Sequence, residues 1–246
     1  MRCIFPLTTF LFVLISFPVV SQSTQVKLAI ADSLYSQGSY SQAMQVYEDI
    51  YFQGQEYTPA MLLRMAFLSE RRQQYPETLF YLNSYFIKTG DRAVFEKITS
   101  LASTYTLEGY DSGDWSYFLS LVYTYLPWIT GGLLVAISML VFLMAFRRWK
   151  AKERPKVLPW VTFVVSALYM MLINTHFFQA GIIQSDYTLL MEGPSAGSNV
   201  LEVLDKGHQL TLIEKEDVWW KVEWTGGREG YVKEGQLLEL VEKEKP

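Results

Sequence analysis

The chain has 246 residues, a formal net charge of −4 and a hydrophobic content of 50%. Lys and Arg cluster only in one short loop, which argues against nucleic acid, and the single cysteine, Cys3, leaves the remainder without disulfides or thiolate metal sites. The mean hydropathy lies just above zero because apolar runs are gathered at the N-terminus and mid-chain, so each polar region between them is small.

Residues 1–23 (MRCIFPLTTFLFVLISFPVVSQS) have a basic start at Arg2, an apolar middle and small residues at the end. This is the pattern of a secretory signal, with cleavage expected after Ser21 or Ser23. An uncleaved anchor helix is the alternative, and Pro6 and Pro18 count against it. Either reading places the residues that follow outside the cytoplasm.

From residue 24 to 106 the apolar spacing is helical, with an internal repeat at an offset of 35. Ala31 matches Ala66 and Tyr40 matches Tyr75, while Ala43, Tyr47 and Ile50 correspond to Thr78, Leu82 and Tyr85. Each unit reads as helix, turn (QGSY, RQQY), helix. Asp91, directly after Gly90, is the expected cap of a further helix with Val94, Ile98, Leu101, Ala102 and Tyr105 on one stripe. The period and the aromatic–small alternation resemble the tetratricopeptide repeat. Gly38 stands at that family's turn glycine, Gln73 replaces it in the second unit, and Ile50 and Tyr85 replace its usual alanines. The resemblance implies a concave partner groove lined by Asp32 and Tyr35 and by Phe67, Glu70 and Arg71. Simple packing roles for Tyr35 and Phe67 are the alternative.

Residues 107–126 begin with turn formers and become aromatic-rich from Trp115, as expected of an interfacial helix leading into a span. Residues 127–146 and 157–178 carry no charge and are each long enough, at about 1.5 Å per residue, to cross a hydrocarbon core of roughly 30 Å. The connecting loop, residues 147–156, sets Arg147, Arg148, Lys150, Lys152, Arg154 and Lys156 against Glu153 alone. Such a loop stays cytoplasmic, so both flanking regions are expected on the far side of the membrane. Trp128, Trp149 and Trp160 fall at the expected water boundary, and Gly132 with Ala136 and Ser166-Ala167 offers small surfaces for close approach of the two spans. His176, at the outer end of the second span, reads as solvated or hydrogen-bonded rather than as a proton relay.

After Gln179 the period becomes two, and five short strands are expected within residues 180–241, followed by a charged tail at 242–246. Gly226-Gly227 reads as a two-residue hairpin turn. Gly193-Pro194-Ser195, Lys206-Gly207, Trp219–Val222 and Gly230-Tyr231-Val232 occur in the order found in bacterial SH3 domains, and this segment resembles that family. Tyr231 takes the place of a usual tryptophan, and Leu190-Met191 the place of a Val-Arg pair. Strand alternation puts Val218, Trp220, Val222 and Trp224 in the core and Trp219 and Lys221 on the other face. Trp219, Lys221, Tyr231 and Tyr187 are the expected partner-binding residues, with packing of Trp219 under the Gly193–Asn199 loop as the alternative. His208 is expected at the surface or a strand edge.

The expected fold is thus a multi-domain membrane protein: tetratricopeptide-like helical hairpins, a two-helix transmembrane hairpin and a small all-β SH3-like barrel. In domain order the chain resembles the BatE-type proteins of Bacteroidetes aerotolerance operons and related SH3-domain membrane proteins. That resemblance implies a non-enzymatic component of the bacterial inner membrane, with both large segments periplasmic and lipid and other envelope proteins as partners. A tether binding peptidoglycan peptides through the barrel is the alternative. No nucleophile, zinc-binding or phosphate-loop motif is present, and no cofactor, metal or enzymatic activity is expected.

Overall fold

Two helices pack around paired alanines at the start of the described residues. The computed structural model describes residues 22–54, 56–110, 114–150, 157–174 and 179–240. The signal-like run up to residue 21, loop residues Lys152, Arg154 and Lys156, His176 and the tail from residue 242 lie outside these. The chain divides into two units, one up to Tyr57 and one from Thr58 onward.

In the first unit, α1 (Gln22–Ser36) and α2 (Tyr40–Glu48) form a hairpin, and α2 runs on into a wider turn at Asp49–Gln53. Ala31, Ala43, Tyr47 and Ile50 are buried, the small alanines letting the helices approach. The Tyr47 hydroxyl donates to Asp32 at 2.6 Å, which satisfies a polar tip on a buried ring.

In the second unit, α3 (Pro59–Arg71) and α4 (Tyr75–Thr89) repeat that hairpin. The repetition extends to individual bonds. Gly38 N–H donates to the Tyr35 carbonyl and Ser39 N–H to Leu34; 35 residues on, Gln73 N–H donates to Glu70 and Gln74 N–H to Ser69. Gly38 has φ +77° and Gln73 φ +59°, so the second turn keeps the left-handed geometry without the glycine that accepts it most readily. α5 (Arg92–Thr104) starts where expected, with Gly90 left-handed and the Asp91 carboxylate accepting from Ala93 N–H at 2.9 Å. Ile98 and Ala102 are its buried residues, while Tyr105 lies beyond its end and is exposed.

α6 (Asp114–Lys150) is one helix of 37 residues, about 55 Å at 1.5 Å per residue. The helix runs without a break through Pro127, where the expected interfacial helix was to lead into the first span. Near its start the Tyr117 ring packs on Phe86 and Phe95, Arg92 lies 5.3 Å from its centre, and its hydroxyl reaches the Gly90 carbonyl at 3.3 Å. Further on, Tyr125–Arg147 has a mean hydropathy of 2.4 and no part of its most apolar window is buried in protein. Among the described residues this is the one helix long and apolar enough to cross a membrane. α7 (Leu158–Asn174) packs against α6 but is shorter, and residues 175–178 of the expected second span are outside the described set. A side chain added at Gly131 or Gly132 would meet nothing within 4 Å, so the Gly132 surface does not seat α7 as expected.

The C-terminal part contains seven strands: β1 (Ala180–Ile183), β2 (Thr188–Met191), β3 (Val200–Leu204), β4 (Gln209–Glu216), β5 (Trp219–Trp224), β6 (Arg228–Lys233) and β7 (Leu237–Glu239). They form one antiparallel sheet in the order β3-β2-β6-β5-β4-β1-β7 around a core that includes Ile183, Leu190, Leu210, Trp220, Val222 and Val232. Five strands were expected; the turn at Tyr187 (φ +59°) and the short 3-10 turn Glu234–Gln236 each divide one expected strand in two. Val218 is 41% exposed and outside the core, because it lies with Asp217 (φ +56°) in the turn between β4 and β5. The glycine turn is a three-residue loop, since Trp224 pairs with Arg228 and Thr225 joins Gly226 and Gly227 in the connection.

Candidate binding surface of the C-terminal barrel

Alternation along β5 sends Trp220, Val222 and Trp224 inward, which leaves Trp219, Lys221 and Glu223 on the outer face. Register then decides which outer residues meet. Lys221 lies opposite Tyr231 of β6 and Glu214 of β4, and Trp219 lies opposite Lys233 and Glu216. The Tyr231 hydroxyl donates across β5 to Glu216 Oε1 at 3.1 Å. Lys221 Nζ pairs with Glu229 at 2.6 Å, and this hydrogen-bonded carboxylate raises the ammonium pKa. Loss of solvation and the bond to Glu216 push the Tyr231 phenol upward in the same way. The outcome is a half-exposed Trp219 and Tyr231 framed by carboxylates, a surface suited to a neutral or basic ligand. The structure thus brings Trp219, Lys221 and Tyr231 together. Tyr187 stands apart on its turn, 77% exposed.

The neighbouring Gly-Pro-Ser loop is held by its own bonds. Glu192 N–H donates to the Asn199 carbonyl and Asn199 Nδ2 to Glu192 Oε2, both at 2.9 Å. Trp220 Nε1 donates to Glu239 at 2.7 Å, which ties the core of β5 to β7. These bonds fix the strands from which the outer aromatics project.

The residues expected to line a helical groove are distributed over the two units. In the first, Asp32 accepts from Tyr47 and the Tyr35 ring meets Tyr40 edge-on at 5.6 Å. In the second, Phe67 is 41% exposed with the Arg71 guanidinium 5.7 Å from its ring centre, while Glu70 pairs with Lys97 of α5. Arg147 is exposed at the end of the apolar stretch, with Arg148 and Lys150 on the last turn of α6.

A second meeting place was not expected from sequence: residues 105–110 and the start of α4 pack on the turn between β3 and β4. Tyr75 stacks on Tyr105 with ring centres 4.3 Å apart, and Lys206 Nζ lies 5.7 Å from the centre of the Tyr75 ring. Gly207 (φ +91°) fits because it has no side chain; a Cβ there would come within 2.6 Å of Tyr75. Tyr110 donates to the Gly207 carbonyl at 2.8 Å, and burial pushes its phenol well above the ordinary range. His208, expected at the surface or a strand edge, stands directly before β4 and is half-buried: its Nδ1 accepts from Glu108 N–H at 2.9 Å and its ring stands edge-on to Trp224. Only the local Lys-Gly turn signal hinted at this site.

A small antiparallel sheet around an aromatic and aliphatic core, with tight glycine turns, is consistent with an SH3-like domain. Residues 191–239 match the bacterial SH3 domain family. That match covers the C-terminal part alone, so the tetratricopeptide-like and BatE-type likenesses continue to rest on the sequence. No curated protein and no solved structure is significantly similar to this chain.

Proposed function

We propose that this protein is a non-enzymatic, membrane-anchored scaffold that holds its helical repeats and its SH3-like barrel on the extracytoplasmic side of a bacterial inner membrane. The observation that carries the reading is the uncovered apolar stretch Tyr125–Arg147 within a helix whose first turns are packed onto α4 and α5. An apolar surface of that length is stable in lipid or against another protein, and its attachment through Tyr117 gives the helical layer a fixed stem. α6 and α7 act together as the membrane hairpin, and the basic residues from Arg147 to Lys156 keep the connecting loop in the cytoplasm.

The repeated turn geometry at Gly38 and Gln73 supports a tetratricopeptide-like role for the helices, with Asp32, Tyr35, Phe67, Glu70 and Arg71 as partner contacts. Bacterial SH3 domains commonly bind proteins or peptidoglycan. Trp219, Lys221 and Tyr231 form the barrel's recognition face, and Tyr187 adds a further exposed aromatic. A photo-crosslinker at position 219 in whole cells is expected to yield a discrete adduct with an envelope protein, and Lys221→Glu to abolish it. The Trp219-centred face also supports a second reading, a tether for cell-wall peptides. There the full chain in detergent sediments with purified wall, and Trp219→Ala prevents it. Neither an adduct nor wall binding would leave the recognition face without a role.

A further inference from the structure

We propose that residues 107–110 form a latch between the helical layer and the barrel, closed while His208 is neutral and released when it is protonated. The proposal stands on the bonds around Glu108 and holds with or without a membrane anchor. Glu108 N–H donates to His208 Nδ1 at 2.9 Å, and the Glu108 carbonyl accepts from Gln209 N–H at 3.0 Å. Its carboxylate accepts from the Thr225 hydroxyl at 2.8 Å. Backbone contact at the next residue is so close that a Cβ on Gly109 (φ +89°) would stand 2.0 Å from the Gln209 carbonyl oxygen. Tyr110 completes the clasp on Gly207.

An imidazole nitrogen accepts a hydrogen bond only through its lone pair. In the imidazolium ion both nitrogens carry hydrogen, so Nδ1–H and the Glu108 N–H would point at each other. The ring's edge contact with Trp224, centres 5.3 Å apart, restricts rotation away from that clash. The charged groups facing His208 come from each neighbouring element. Glu108 lies on the latch, Asp205 on the β3–β4 turn and Glu202 on β3, where Glu202 is paired with Arg228 at 3.0 Å. Lys206 on the same turn is paired with Asp186, and Tyr75 and Tyr110 are the nearby phenols. Burial outweighs the three carboxylates and lowers the His208 pKa below its usual value near 6.5. The sign follows: a group held neutral in the closed form contributes its stability above about pH 6.5, and that contribution is lost as pH falls toward the depressed value.

Hydrogen exchange on the full chain in detergent micelles tests this, with rates corrected for the intrinsic effect of pH. Protection of the Glu108 and Gln209 amides is expected to fall about tenfold between pH 7.5 and 5.0, while the Phe80–Leu82 amides of α4 hold theirs. In His208→Asn the side-chain oxygen takes the place of Nδ1 without titrating, so protection is expected at both pH values. Equal protection of the wild type at both pH values, or the same loss in His208→Asn, would overturn the proposal. If His208→Asn does not fold, the ring titration of His208 followed by NMR in the wild type decides. Its midpoint must lie below 6.5 and coincide with the loss of protection at Glu108; a midpoint unconnected to that loss rejects the latch.

Discussion

Gln73 holds a left-handed backbone that the equivalent position in the first hairpin gives to Gly38. A residue with a Cβ in that region costs about 1–2 kcal/mol, offset in part by the lower chain entropy of a non-glycine in the unfolded state. Gln73→Gly is therefore expected to stabilise the second unit by about 0.5–1 kcal/mol, measured by urea unfolding in detergent. A loss of stability would show that the Gln73 side chain makes a compensating contact. His208, at the edge of β4, has an environment that its neighbours in the chain do not describe. Its sequence neighbours predict a turn next to a strand; burial lowers its pKa, and its Nδ1 accepts from a backbone amide 100 positions away.

Among the elements, α4 has the widest set of contacts. It packs on α3, α5, α6 and β1, and its first residue, Tyr75, meets the Lys206-Gly207 turn. At its other end the aromatic group of Phe86, Phe95 and Tyr117 fastens α6. Tyr117→Ala removes the ring common to that group and is expected to cost about 2–3 kcal/mol on urea unfolding. Tyr117→Phe, which keeps the ring and loses the long bond to Gly90, is expected to cost less than half as much. Equal effects of the two substitutions would place the weight on the hydroxyl. For the strands, register matters more than composition. The pairing of Lys221 with Tyr231 puts those side chains beside each other, and a slip of one residue would send Trp219 into the core and Trp220 out.

For the whole molecule, the proposed topology places the helical repeats and the barrel on one side of the membrane. Protease added to spheroplasts should then digest both, and protease added to inverted vesicles should leave both intact. Barrel fragments protected in spheroplasts and lost in inverted vesicles would reverse the orientation, and the wall-tether reading would fall with it. Contacts of residues 105–110 and Tyr75 with the barrel make the C-terminal domain a docked part of the second unit, in place of a module swinging on a linker.

Features set by neighbours in the chain were legible in the amino-acid sequence. The 35-residue repetition of helix and turn, the Asp91 cap, the apolar run in α6 and the inward set Trp220, Val222 and Trp224 all follow from local period and backbone preference. Turn details were less legible, because a single positive φ at Asp217 or Tyr187 moves a side chain such as Val218 out of a strand without disturbing the hydrophobic pattern. Only the tertiary structure decided that the Gly132 surface is left open, that Glu108 clasps His208 and that Gly207 receives Tyr75. Such contacts join segments far apart in the chain, where shape, burial and unpaired hydrogen-bonding groups select the partner and no short-range period records the choice.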